Sequence, residues 1–317
     1  MMERIDFENK DIVKAMSEAQ EHRIDNLANH DEAITNQIEH GRILNGLKLP
    51  WSATHHDVAM PLGTCSVLAG INSHKKSTLS VQIMLWITQH HDYKVGLASF
   101  EMTIADIGEL MTQMAAGATD TTVEHWQKFK EYAKGKIYVF DQIGSVAPEK
   151  VLGAVHRFGE LGCKFVCVDS LMMCSLGGKD SLERERAFIT ALNGLARTHD
   201  MHVMIVHHVR KPESGGDSYI PNKFDCRGSG QITDLVSLLM ISWHNKKKAK
   251  LVQLRDRLGG TLTDKEKDYI EKTPCQKLIV EKNRYSPYEG HINLWQHPSR
   301  QHTKDSSQRS MHFDYNK

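Results

Sequence analysis

Gly70, Lys76 and Ser77 stand at the spacing of a phosphate-binding loop. The short apolar run Cys65-Ser66-Val67-Leu68-Ala69 precedes them, and a mostly apolar run follows to Leu85. In that second run Leu79, Ile83 and Trp86 fall on one face of a helix. A loop between strand and helix can hold a triphosphate because backbone N–H groups and the positive helix end converge on its oxygens. The lysine adds a charge near the β and γ phosphates, and the hydroxyl takes Mg²⁺. In the pattern G-x-x-x-x-G-K-[ST] the second glycine is replaced here by Lys75. Glycine is usual there because the loop turns sharply and its backbone passes close to phosphate. A residue with a Cβ at positive φ costs about 1–2 kcal/mol.

Other polar groups close predicted strands. Glu101 ends Leu97-Ala98-Ser99-Phe100, and a carboxylate at the carboxyl end of a parallel sheet can polarise an attacking water. The position equally suits a glutamate held by a helix dipole. Asp169 ends Phe165-Val166-Cys167-Val168, the form of the acidic strand that helps hold Mg²⁺ beside a phosphate loop. It also suits a helix cap. His207 and His208 end Val203-Met204-Ile205-Val206, and polar groups there can sense a γ-phosphate or be satisfied structural residues. The next loop holds Arg210, Lys211, Lys223 and Arg227 around Gly215-Gly216. That composition fits contacts to a phosphate backbone, or a solvated loop.

These groups need a scaffold that brings strand ends together. Strands are expected near 65–69, 94–100, 136–141, 164–169, 202–207 and 235–242. Helices are expected near 77–90, 103–116, 121–134, 148–160 and 181–199. Short apolar strands alternating with helices predict a mostly parallel sheet covered on both faces. Residues 1–48 are polar and helix-prone, with Ile34, Ile38 and Ile43 as an incomplete stripe, and predict a helical arm. The arm either caps its own domain or docks on a neighbouring subunit. From His244 to Thr273 the chain is charged and apolar-poor, which predicts a solvated insertion, and a C-terminal hairpin follows. The tail 299–317 is polar and expected to be disordered.

Of the 317 residues 40% are hydrophobic and 25% charged, which is ordinary globular usage. The net charge of +1 places any nucleic-acid binding in local patches. The six cysteines form no CxxC pair, which fits a reducing cytosol and not a zinc site. No apolar run is long enough to span a membrane and the N-terminus is no signal peptide. A soluble, cytoplasmic protein is expected, in a host cytoplasm if phage-encoded.

The ordered set is more specific than its parts. Gly70-Ile71-Asn72-Ser73-His74-Lys75-Lys76-Ser77, Ser99-Phe100-Glu101-Met102, Val168-Asp169-Ser170-Leu171 and Val206-His207-His208-Val209-Arg210-Lys211 come first. Arg227-Gly228-Ser229-Gly230-Gln231-Ile232-Thr233-Asp234, Trp243 to Lys248, Val280-Glu281-Lys282-Asn283-Arg284 and Gly290 to Trp295 follow. Over about 50–298 this resembles the phage and prophage branch of the DnaB/Twinkle replicative helicases. The resemblance implies an α/β, RecA-like P-loop ATPase core over 49–298, forming a hexameric ring on single-stranded DNA. It implies ATP and Mg²⁺, a 5′ to 3′ direction, and nucleotide contacts from Gly70, Asn72, Ser73, His74, Lys75, Lys76, Ser77 and Thr78. It makes Ser77 and Asp169 the Mg²⁺ side, Glu101 the base and His208 the γ-phosphate sensor. Lys282 and Arg284 match fingers that reach a neighbour's ATP, and Arg210, Lys211, Lys223 and Arg227 match the DNA loop. Ser73 and Lys75 stand where the branch usually has glycine. No primase module precedes the motor, so a separate primase and polymerase are expected at the fork. Two rival readings are an ATP-binding ring or loader with weak or lost hydrolysis, and a recombinase-type filament.

Overall fold

The computed structural model describes residues 10, 13, 14, 17, 26–177, 180–209, 216, 219–226, 229–257, 261–304, 311 and 313–317. The strands are β1 (Thr64–Gly70), β2 (Lys94–Ser99), β3 (Ile137–Asp141), β4 (Cys163–Asp169) and β5 (His202–His208). They continue with β6 (Leu238–His244), β7 (Gln276–Asn283), β8 (Gly290–Gln296) and β9 (His302–Thr303). They form one nine-stranded sheet in the order β3-β2-β4-β5-β1-β6-β7-β8-β9. The pairings from β3 to β6 are parallel, and β7, β8 and β9 are added antiparallel.

Burial explains the strand sequences. β5 and β6 are buried along their whole length, as strands with both faces covered must be. Alternate residues serve opposite layers: Val67 and Ala69 of β1 join one core, and Leu68 joins the other. The first core packs against α5 (Pro148–Glu160) and α6 (Ser181–Thr198), through Val151, Leu152, Phe188 and Leu192. The second packs against α2 (Lys76–His90), α3 (Ile104–Ala116) and α4 (Val123–Ala133), through Leu79, Ile83, Ile107, Leu110 and Phe129. Thr103 with Asp106 forms a capping box at the start of α3, which satisfies backbone donors where the chain leaves β2.

The arm contains α1 (Asp31–Asn45), broken at Gly41, whose φ of 67° is left-handed. Its narrow apolar stripe leaves Ile38 exposed. Among the described residues no helix is long and apolar enough to cross a membrane.

Two expectations need correction. The stretch after His244 folds as α8 (Lys246–Arg257) and α9 (Asp264–Lys272). Polar contacts rather than apolar ones hold it: Asn245 Nδ2 bonds the Tyr269 hydroxyl and the Pro274 carbonyl, and Lys248 Nζ bonds the Thr273 carbonyl at 2.6 Å. The described part of the tail is likewise packed and not disordered. Gln301 and His302 are buried, and Phe313 enters the second core beside Phe129 and Tyr132.

Candidate functional site

Gly70 ends β1, and α2 begins six residues later. A Cβ on Gly70 would lie 2.6 Å from the Ser242 carbonyl oxygen of β6, so only glycine fits this close approach. Beyond it Ser73 (φ 66°) and Lys75 (φ 62°) are both left-handed. Each costs about 1–2 kcal/mol. The loop is held against that cost from behind. Ser242 Oγ and Gln276 Nε2 donate to the His74 carbonyl, and His74 Nδ1 accepts the His244 backbone N–H at 3.2 Å. His74 borders the cleft, but its imidazole is buried, and burial first, then nearby cations, pushes its pKa down to about 4. Expected among the nucleotide contacts, the His74 side chain instead braces the loop against β6. Ser242 and Gln276 were missed by the sequence reading.

The sheet register assembles the rest. Adjacent strands β2, β4, β5 and β1 deliver Glu101, Asp169, His208 and the loop to one edge. Ser99 pairs with Asp169, and Gly70 with His208. The Phe100 N–H donates to the Asp169 carbonyl at 2.9 Å, which brings the residue after it beside Asp169. Lys76 Nζ donates to the Gly70 and Ile71 carbonyls, both at 3.1 Å, and lies 3.4 Å from His208 Nδ1. Burial lowers the pKa of Lys76, while Asp169 and Glu101 oppose that shift. Asp169 is buried, and burial pushes its carboxyl up to about 6, against a hydrogen bond from Ser77 and with Glu101 adding to the rise. Half-exposed Glu101 accepts from Ser170 Oγ at 2.9 Å, and His208 Nε2 is 3.6 Å from the same oxygen.

These residues and Asn72, Ser73, Lys75, Ser77 and Thr78 line a cleft of about 670 Å³, together with Met172 and Met173. Its chemistry is that of a polyphosphate site: a helix N-terminus, a buried ammonium, and a carboxylate beside a hydroxyl. Ser77 and Asp169 fit Mg²⁺, which takes one or two protein oxygens and completes its shell with water and phosphate.

Lys282 and Arg284 are not brought to this edge. β7 runs against β6, with Asn283 opposite Leu238, so its end lies at the sheet's other edge. There Lys282 Nζ donates to the Thr233 and Asp234 carbonyls, and Arg284 Nη2 to the Asp234 carbonyl at 2.9 Å. Lys223 is near them, bordering a second cleft with Asp234 and Lys282. Arg210, Lys211 and Arg227 lie outside the described residues.

Fold and cleft together define a RecA-like P-loop ATPase of the helicase type. The chain belongs to the AAA domain family, whose model matches residues 56–214, half of its length. No curated protein matches its sequence. Among solved structures, one of an ATPase domain on its own superposes with a TM-score of 0.65 at 16% identity, covering 89% of this chain and 99% of that one. A DnaB-like replicative helicase, described with its primase interactions, gives 0.64 at 18% identity, covering 90% of this chain and 69% of that one.

Proposed function

We propose that this chain is the motor of an ATP-driven hexameric replicative helicase that moves 5′ to 3′ on single-stranded DNA and unwinds the duplex. One observation carries the reading: the nucleotide cleft and the basic pair Lys282 and Arg284 sit at opposite edges of one sheet. A finger that cannot reach its own cleft suits a site completed by a neighbouring subunit, and exposed Ile38 on α1 suits an arm that joins subunits.

In this reading Lys76 exchanges the Gly70 and Ile71 carbonyls for phosphate oxygens. Glu101, oriented by Ser170, takes the proton of the attacking water, and His208 lies between Lys76 and Glu101, where loss of the γ-phosphate is felt. Ser77 and Asp169 would hold Mg²⁺, which neutralises phosphate charge when bound. Arg284 and Lys282 of the neighbour stabilise charge spreading over the transferred group. Lys223, with Arg210, Lys211 and Arg227, contacts the DNA backbone. A separate primase and polymerase act with it at the fork, in the cytoplasm. The rival of a ring that binds ATP without turning it over is disfavoured, because every strand-end group for hydrolysis is in place.

Mixing subunits tests the reading. Glu101→Gln alone lowers turnover by about 10²-fold, the scale of losing a general base. Arg284→Ala alone also inactivates. Mixed together, the two variants regain DNA-stimulated ATP turnover, because some interfaces then pair an intact base with an intact finger. Full activity of Arg284→Ala by itself refutes the shared site.

A further inference from the structure

β7 carries one residue more than β6 can pair. Leu239 stands opposite Lys282 and Met240 opposite Val280, so Glu281 is left over as a bulge. A bulge interrupts the alternation of sides and re-aims side chains. Here the consecutive residues Glu281 and Lys282 both reach one neighbouring segment, residues 223–235. Glu281 Oε2 accepts the Lys223 backbone N–H at 3.0 Å. Lys282 and Arg284 take the Thr233 and Asp234 carbonyls near the end of the short helix α7 (Ser229–Leu235), the end that favours cations. One strand end therefore grips both ends of the segment. Between the grips lies a cleft of about 400 Å³ bordered by Phe224, Thr233 and Glu289, which leaves the segment room to shift.

We propose that the Glu281 bulge couples DNA engagement to the fingers. This rests on the helicase reading, in which Lys223 touches DNA and Lys282 and Arg284 act on a neighbour's nucleotide. A pull on Lys223 is transmitted through its N–H to Glu281, and from there to the adjoining Lys282 and to Arg284, which share the α7 carbonyls. Glu281 is thus a positioning residue, touching neither nucleotide nor DNA.

Two pairs of variants of the full chain test this by ATP turnover with and without single-stranded DNA, alongside DNA affinity. Glu281→Ala removes the acceptor and Glu281→Gln keeps one. Glu281→Ala retains DNA-free turnover and DNA affinity within about twofold and loses at least about fivefold of the DNA stimulation, the scale of one hydrogen bond to a charged group. Glu281→Gln retains most of the stimulation. Lys223→Ala and Lys223→Pro both lose the ammonium, but only proline loses the N–H. Asn222 is extended (φ −128°, ψ −178°), and Lys223 opens a 3₁₀ turn, so proline is accommodated. At equal DNA occupancy Lys223→Pro is stimulated less than Lys223→Ala. Undiminished stimulation in Glu281→Ala, equal stimulation of the two Lys223 variants, or an equal loss of DNA-free turnover in both Glu281 variants overturns the coupling. An unmodified chain whose turnover ignores DNA removes the helicase reading, and the coupling with it.

Discussion

Lys75 is the residue at which the sequence argues against itself. It occupies the glycine position of a phosphate loop and does so in the left-handed conformation, φ 62° and ψ 25°. The strain is borne rather than avoided, since Ser242, His244 and Gln276 fix the His74 peptide next to it. The loop is therefore built, and Lys75→Gly relieves local strain without reshaping it. ATP affinity of Lys75→Gly is expected to equal that of the unmodified chain or exceed it modestly, within the roughly 1–2 kcal/mol of a left-handed residue. Lys76→Ala is expected to abolish binding, because it deletes the ammonium that faces Asp169 and His208. Titration of ATP with Mg²⁺ into the three proteins checks this. Binding that appears only in Lys75→Gly identifies a decayed loop. The strand-end groups Glu101, Asp169 and His208 were legible because each closes an apolar run. The brace was not, since Ser242 and Gln276 lie 168 and 202 residues from His74 and carry no local pattern.

Elements show the same division. The alternating strands and helices of the parallel core follow from apolar spacing, and their expected spans lie within a few residues of those observed. The tail was misread because its anchoring is mostly polar. Gln82 on α2 pairs both ways with the His302 backbone, donating to its carbonyl at 2.9 Å and accepting its N–H at 2.8 Å. One helical face later Gln89 repeats this with Asp314, both bonds at 3.0 Å. Trp51 Nε1 adds a bond to the His302 carbonyl at 2.8 Å. The tail is thus strapped along the helix that starts at the phosphate loop. Gln82→Ala is expected to cost about 1–3 kcal/mol, since it strands buried backbone groups. A lower urea midpoint at unchanged slope is the measurement, and an unchanged midpoint rejects the strap. Acid acts at the same place. Burial pushes the His302 imidazole down to about 3, and among the described residues neither ring nitrogen has a hydrogen-bond partner. The unfolded chain takes up that proton first, so His302 contributes stability above its ordinary pKa of 6.5 that is lost as pH falls toward about 3.

At the scale of the whole molecule the charge balance decides how DNA can be held. With a net charge of +1 there is no global field to draw a polyanion in. Affinity must come from a few cations at one place, and the segment gripped by β7 supplies Lys223 to it. Resemblance adds Arg210, Lys211 and Arg227, so a handful of phosphates is neutralised per subunit. Single-stranded DNA affinity is then expected to fall with salt at a slope of about −0.7 per phosphate neutralised. Replacing Lys211 and Lys223 together with alanine removes two such contacts, which flattens the slope by about 1.4 for each subunit engaged. The lysines at the start of α8 offer a competing path. Lys248 is bonded to the Thr273 carbonyl and Lys247 sits over the Tyr269 ring at 4.8 Å, so both are partly spent on folding α8 against α9. Fluorescence titrations across a salt series separate the two paths. A slope unchanged in Lys211→Ala/Lys223→Ala but flattened in Lys246→Ala/Lys250→Ala moves the DNA to the α8 surface. A flattened slope in the first pair alone keeps it beside the fingers, where binding and turnover can be linked through β7.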